Sequence, residues 1–135
     1  MMEEYIIQAV IERAEDGGFT AYSDSVPGVY ANGLTEEEVR TEFMEMMKEQ
    51  ADFVAERTGE RPSWADAEVQ FTFDISALFD AFPFLNASAF AEWIGINPSL
   101  MRRYKSGRSK PTGKTREIIR NGFRSMADRL QHVYV

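Results

Sequence analysis

An α+β architecture is predicted, with a small β-β-β-α-β sheet domain over residues 1–74 and an all-α domain over residues 75–135. Three observations predict it. Residues 5–14 and 69–74 alternate apolar with polar side chains, the period of a strand with one buried face. From Ile75 onward the apolar residues recur at three- and four-residue steps, the period of helices. The charge reverses at the same place. Residues 1–74 hold 18 acidic and 5 basic side chains, a net of -13, and residues 75–135 hold 4 acidic and 10 basic, a net of +6, which together make the -7 of the chain. Such a split implies two halves with different partners: phosphates suit the basic half, and a basic protein suits the acidic one.

In the first half, Ile7, Ala9 and Ile11 share one face of the leading strand, and Ile6, Gln8, Val10 and Glu12 the other. Asp16-Gly17-Gly18 supplies positive φ for a hairpin, and a second strand runs from about Phe19 to Ser23. Val26-Pro27-Gly28 turns the chain again, and Val29 to Asn32 makes a third strand ended by Gly33. Thr35 caps a helix, Glu38 completes a capping box, and Glu36, Glu37 and Glu38 lie at the positive end of its dipole. Val39, Phe43, Met46, Met47, Phe53 and Val54 form the apolar stripe, and the helix ends near Arg57, before Gly59 and Pro62. Met44, Met46 and Met47 read as helix-on-sheet packing in preference to an adaptable binding surface. Glu42, Glu45, Glu49, Asp52 and Glu56 read as a solvated face. A polar loop holding Trp64 then leads to a fourth strand, with Val69, Phe71 and Phe73 inward.

In the second half, Ile75, Leu78, Phe79 and Phe82 mark a first helix that Pro83 stops, with no Gly- or Ser-rich linker before it. Asn86 caps a second helix, Ala87 to Ile94, in which Phe90, Ala91 and Ile94 face inward and which Gly95 ends. Asn97 caps a third, opened by Pro98 and running to Ser106 before Gly107. Thr112 caps a fourth, with Ile119, Phe123, Met126 and Leu130 on one face; Gly122 weakens it by roughly 1 kcal/mol relative to Ala.

The second and third of these helices, joined by Gly95-Ile96-Asn97, have helix-turn-helix spacing. Ile96, Met101 and Tyr104 point inward, which leaves Ser99, Arg102 and Arg103 outward. A small polar residue with arginines on a free face suits the major groove, because a guanidinium can bond guanine O6 and N7 together. Lys105, Arg108, Lys110 and Lys114 flank this helix and suit phosphates. Asn97 and Ser99 at the helix start, with Ser88 at the start of the preceding helix, complete the DNA-binding candidates.

Residues 86–111 resemble the phage-repressor-type helix-turn-helix. The Phe90-Ala91 pair, Gly95-Ile96-Asn97, Arg103-Tyr104 and the Gly107 to Pro111 ending carry that resemblance. Pro98 departs from the pattern, which often has a base-reading Gln there, so base contact is carried to Ser99 and Arg102. Residues 5–56 resemble the N-terminal domain of HicB-type antitoxins, through the leading hairpin, the run from Asp24 to Gly33, and the Thr35-Glu36-Glu37-Glu38 helix start. The two resemblances imply a degenerate ribonuclease-H-like sheet that binds and blocks a small basic HicA-like mRNA-cleaving toxin. They also imply a C-terminal module that represses the shared operon by binding operator DNA as a homodimer or higher homo-oligomer.

Other classes are weakly supported. There is no cysteine and no run of about 18 apolar residues, and Met1-Met2-Glu3-Glu4 is acidic where a secretory signal would be basic, so a cytoplasmic location without membrane insertion is expected. The strand-associated carboxylates Glu12, Asp24, Glu68 and Asp74 lie mostly at strand ends, and His132 stands alone near the C-terminus. Neither arrangement suggests metal-dependent cleavage, so no enzymatic activity, cofactor or metal is expected. A stand-alone regulator whose first half senses a ligand or only oligomerises is the main alternative, and an enzyme relic the third.

Overall fold

The computed structural model describes residues 6–135; the acidic segment Met1 to Glu4 and the expected strand start at Tyr5 lie outside the described residues. Among the described residues the order is β1 (Ile6–Arg13), β2 (Phe19–Tyr22), β3 (Tyr30–Gly33), α1 (Glu36–Thr58), β4 (Glu68–Phe73), α2 (Ile75–Ala81), α3 (Ala87–Ile94), α4 (Pro98–Ser106) and α5 (Gly113–Gln131). The fold is thus mixed, with one four-stranded sheet and five helices among the described residues. The chain forms two compact units, the first ending at Ala81 and the second spanning Phe82–Val135.

In the first unit the strand order is β3-β2-β1-β4. Two antiparallel hairpins join β1, β2 and β3, whereas β4 lies parallel to β1, with Ile7 opposite Val69 and Ile11 opposite Phe73. A parallel neighbour requires a long crossover, and α1 supplies it. Its buried residues Val39, Phe43, Met47 and Ala51 recur every four positions and share one core with Ile7, Ala9, Ile11, Ala21 and Ala31 of the sheet. Phe43 is wholly buried and meets Phe71 edge-on, with ring centres 5.6 Å apart. Trp64, from the loop before β4, joins the same core.

The other sheet face is polar and aromatic. Gln8 donates to Gln70 at 3.2 Å and accepts from the Thr72 hydroxyl at 3.0 Å, while Tyr22 and Tyr30 stack at 6.1 Å.

Two expectations for α1 change. Phe53 is 51% exposed, with the Arg57 guanidinium 5.5 Å from its ring centre. It follows Ala51 by two residues, about 200° around the helix, so the ridge that buries Ala51 turns Phe53 to solvent. The capping box also closes differently. Thr35 Oγ1 accepts the Glu38 N–H at 3.1 Å, but the Glu38 carboxylate reaches the Leu34 N–H, at 2.8 Å, one residue before the cap. Of the methionines, Met47 is buried in the core and Met44 is exposed.

Helix α2, expected to open the helical domain, belongs to the sheet unit instead. Ala77 is fully buried in the sheet core, Asp80 pairs with Arg13 at 2.9 Å, and the Asp74 N–H donates to the Ile11 carbonyl at 2.9 Å. The apolar face of this short helix is used to cover the sheet, which moves the boundary from Asp74 to Ala81.

In the second unit Ala87, Phe90, Ala91, Ile96, Met101, Tyr104 and Ile119 are buried. Phe90 stacks on Phe123 of α5 with ring centres 4.3 Å apart. Gly122 lies against the same partners: a Cβ added there would stand 2.5 Å from Ile94 Cγ2 and 3.1 Å from the Phe90 ring. Leu130, expected inward, is 61% exposed, although the neighbouring Arg129 guanidinium lies 5.8 Å from the Trp93 ring centre of α3. Thr112 occupies the cap position of α5, but its hydroxyl faces Thr115 Oγ1 at 3.4 Å and caps no backbone N–H.

Gly122 therefore acts against its helix propensity. Alanine gains up to about 1 kcal/mol as a helix former and loses about 1–3 kcal/mol by overpacking. Gly122→Ala is expected to lower stability by about 1–2 kcal/mol in urea denaturation. Gly113→Ala, whose Cβ would meet nothing within 4 Å, is the control and should not be destabilised by crowding. A Gly122→Ala protein at least as stable as its parent would show that propensity dominates.

Candidate nucleic-acid interface

The candidate surface is built on the α3–α4 pair. Asn86 Oδ1 accepts the Ala89 N–H at 2.9 Å and starts α3. Gly95 ends it at φ 82°, a left-handed conformation that costs a residue with a Cβ. The chain reverses there, the Ile96 N–H returns to the Ala91 carbonyl at 2.9 Å, and Ile96 is buried. Asn97 Oδ1 accepts the Ser99 N–H at 2.8 Å, and Pro98 opens α4 where its missing N–H costs nothing. Met101 is 0% and Tyr104 5% exposed, so the rotation of α4 is set by what it buries. Ser99, Arg102 and Arg103 face solvent.

Arg102 is held in place. Its Nη1 donates to Ser88 Oγ on α3 at 3.1 Å, and its Nη2 donates to Ser99 Oγ on α4 at 3.0 Å. Two of its five donor hydrogens bridge the helices, and three stay available on an exposed group. A long side chain fixed this way loses less rotamer freedom when it engages a ligand. The candidates Ser88, Ser99 and Arg102 thus form one cluster. Asn97 differs, because its side-chain oxygen is committed to the helix cap.

After α4 the chain folds back on the helix end. The Arg103 carbonyl accepts from Arg108 N–H at 3.0 Å, from Ser109 N–H at 3.3 Å and from the Ser106 hydroxyl at 3.0 Å. These bonds hold the Arg108 backbone beside the last turn of α4. Arg103, Lys105, Arg108, Lys110 and Lys114 are all exposed. Further exposed cations on α5 were not anticipated, among them Arg116, Arg120 and Arg124. Their spacing at four-residue steps was the available signal.

The first unit carries the opposite charge. Glu42, Glu45, Glu49, Asp52 and Glu56 are exposed along α1, as expected. Asp52 and Asp66 flank Arg61, at 3.6 and 3.1 Å, and Arg40 pairs with Glu36 at 2.8 Å. Of the strand-associated carboxylates, Glu12 accepts from the Tyr22 hydroxyl at 3.1 Å and Asp74 from the Ser76 hydroxyl at 2.8 Å. No group of three or more His, Asp or Glu side chains converges among the described residues. No described helix is long and apolar enough to cross a membrane.

No protein-family model, curated protein or solved structure matches this chain.

The hydrogen bond to Glu12, and then the charge of that carboxylate, raise the Tyr22 pKa above the ordinary 10.0. The phenolate is the form disfavoured. Glu12→Gln is expected to bring the Tyr22 titration midpoint back down, read by ultraviolet absorbance with Tyr22→Phe to assign the transition. A midpoint unmoved by Glu12→Gln would remove Glu12 as the cause.

Proposed function

We propose that this chain is a repressor and antitoxin in one polypeptide. In this reading α3 and α4 act as a helix-turn-helix, with α4 in the major groove of operator DNA. The sheet unit is a degenerate ribonuclease-H-like domain that binds and blocks a small basic mRNA-cleaving toxin of the HicA-like kind. A homodimer or higher homo-oligomer engages paired half-sites in the cytoplasm.

The DNA-binding half is supported above all by the exposed Arg102 guanidinium bridged between Ser88 and Ser99. A preset planar donor on the free face of a short helix suits guanine O6 and N7. Ser88 and Ser99 position it, and Ser99 and Arg103 stand beside it on the same exposed helix. Lys105, Arg108 and Lys110 suit the flanking phosphates. The toxin-binding half is supported by the charge partition: residues 1–81 carry 19 acidic and 5 basic side chains, a net of -14, which favours a cationic protein partner.

Binding-site selection from a random duplex library, followed by fluorescence anisotropy, tests the DNA half. Arg102→Ala is expected to weaken the selected sequence and to lose about 1–3 kcal/mol of discrimination at one base pair. Lys110→Ala should weaken all sequences alike and reduce the salt slope by about 1. Failure to enrich any sequence would reject specific recognition.

Pull-down from the native host, followed by RNA-cleavage assays on the captured protein, tests the antitoxin half. The expected partner is a small basic ribonuclease that this chain inhibits. Specific DNA binding without such a partner would favour a stand-alone regulator.

A further inference from the structure

We infer that the arginine ridge of α5 is a second nucleic-acid contact, made to the sugar-phosphate backbone of duplex DNA. The inference rests on the DNA-binding reading of the second unit and extends it to a helix outside the α3–α4 pair.

The ridge is defined by what α5 buries. Ile119 is 1% exposed, Phe123 stacks on Phe90, and Gly122 lies so close to Ile94 that a single added carbon would collide. These contacts fix the rotation of α5 about its own axis. Arg116, Arg120 and Arg124 then project from one flank, at successive steps of about 6 Å along the axis. All three are exposed.

Six arginines outside the candidate DNA-binding positions Arg103 and Arg108 and this ridge have side-chain partners, Arg102 through its two serines among them. Arg13, Arg40 and Arg61 make ion pairs, and Arg57 and Arg129 lie over aromatic rings. Among the described residues, Arg116, Arg120 and Arg124 make no side-chain ion pair, hydrogen bond or ring contact. Like charges four residues apart repel one another, and an isolated helix gains nothing from that arrangement. A polyanion with regularly repeated charge relieves it. The sugar-phosphate backbone has that form, and the ridge offers no base-specific geometry of its own.

The second unit also has the required charge. Residues 82–135 hold 10 basic and 3 acidic side chains, a net of +7, and three of those ten are in this ridge. The ridge therefore contributes sequence-independent affinity, while Arg102 contributes the base preference.

The test is the salt dependence of duplex binding by the full chain. The variants are Arg116→Gln/Arg120→Gln/Arg124→Gln and the charge-preserving Arg116→Lys/Arg120→Lys/Arg124→Lys. Binding to an arbitrary-sequence duplex and to a selected duplex is measured from 50 to 200 mM salt. The Gln variant is expected to lower the slope of log K against log salt by about two to three, for both duplexes alike. The Lys variant should retain the parental slope, and circular dichroism should show unchanged helix content in both.

A parental slope in the Gln variant would overturn the inference while leaving the Arg102 reading intact. A lowered slope together with an Arg102→Ala protein of unaltered base preference would keep the ridge and reject the helix-turn-helix reading. A change of oligomeric state in the Gln variant with no change in slope would assign the ridge to a protein contact instead and overturn the inference.

Discussion

The exposure of Arg102 depends on the burial of three other side chains. Ile96, Met101 and Tyr104 fill the seam behind the reversal at Gly95, and their spacing leaves α4 one way to lie. Burying each of these is favourable by about 1.5–3 kcal/mol for an aliphatic or aromatic side chain, whereas water competes for the exposed polar bonds of Arg102 and reduces their net contribution. The apolar seam therefore sets the geometry, and the two serines refine it. A change that loosens the seam would blur the guanidinium position before it unfolded the unit. The surface chemistry of α4 follows from its core chemistry.

The charge partition explains how an acidic protein can present a cationic surface. At physiological salt the screening length is about 8 Å, so the local potential is governed by nearby groups and not by the -7 of the whole chain. Within the first unit, Arg40 and Arg61 are neutralised by neighbouring carboxylates, which leaves α1 strongly acidic along its exposed side. In the second unit Glu92, Glu117 and Asp128 are outnumbered by their basic neighbours. The proposed roles of the two units, phosphate binding and capture of a basic protein, follow this partition of charge along the chain.

Much of the fold was legible in the residues, and the exceptions have identifiable causes. Caps and terminators, such as Thr35, Asn86, Gly95, Asn97 and Gly107, act through local backbone geometry and mark helix ends well. Period-two alternation marked Ile7, Ala9 and Ile11 as buried. Long-range pairing left no such local mark, so the parallel placement of β4 beside β1 and the attachment of α2 to the sheet became visible only in three dimensions. Leu130 was misjudged because apolar periodicity marks a helix face without saying whether a partner covers every position on it. Gly122 was misjudged because propensity describes an isolated helix, whereas here Ile94 and Phe90 occupy the space a side chain would need. For the site, the exposed positions on α4 were legible, but the bond from Arg102 across to Ser88, 14 residues earlier, was not.

The central claim is that DNA sits against the exposed side of α4. Its most direct test is an NMR titration of the full chain with a selected duplex, following backbone amides and arginine side-chain resonances. The account predicts the largest shifts at Ser88, Ser99, Arg102 and Arg103, with slower exchange of the Arg102 guanidinium protons in the complex. Shifts confined to the sheet unit, with those four residues unmoved, would contradict it.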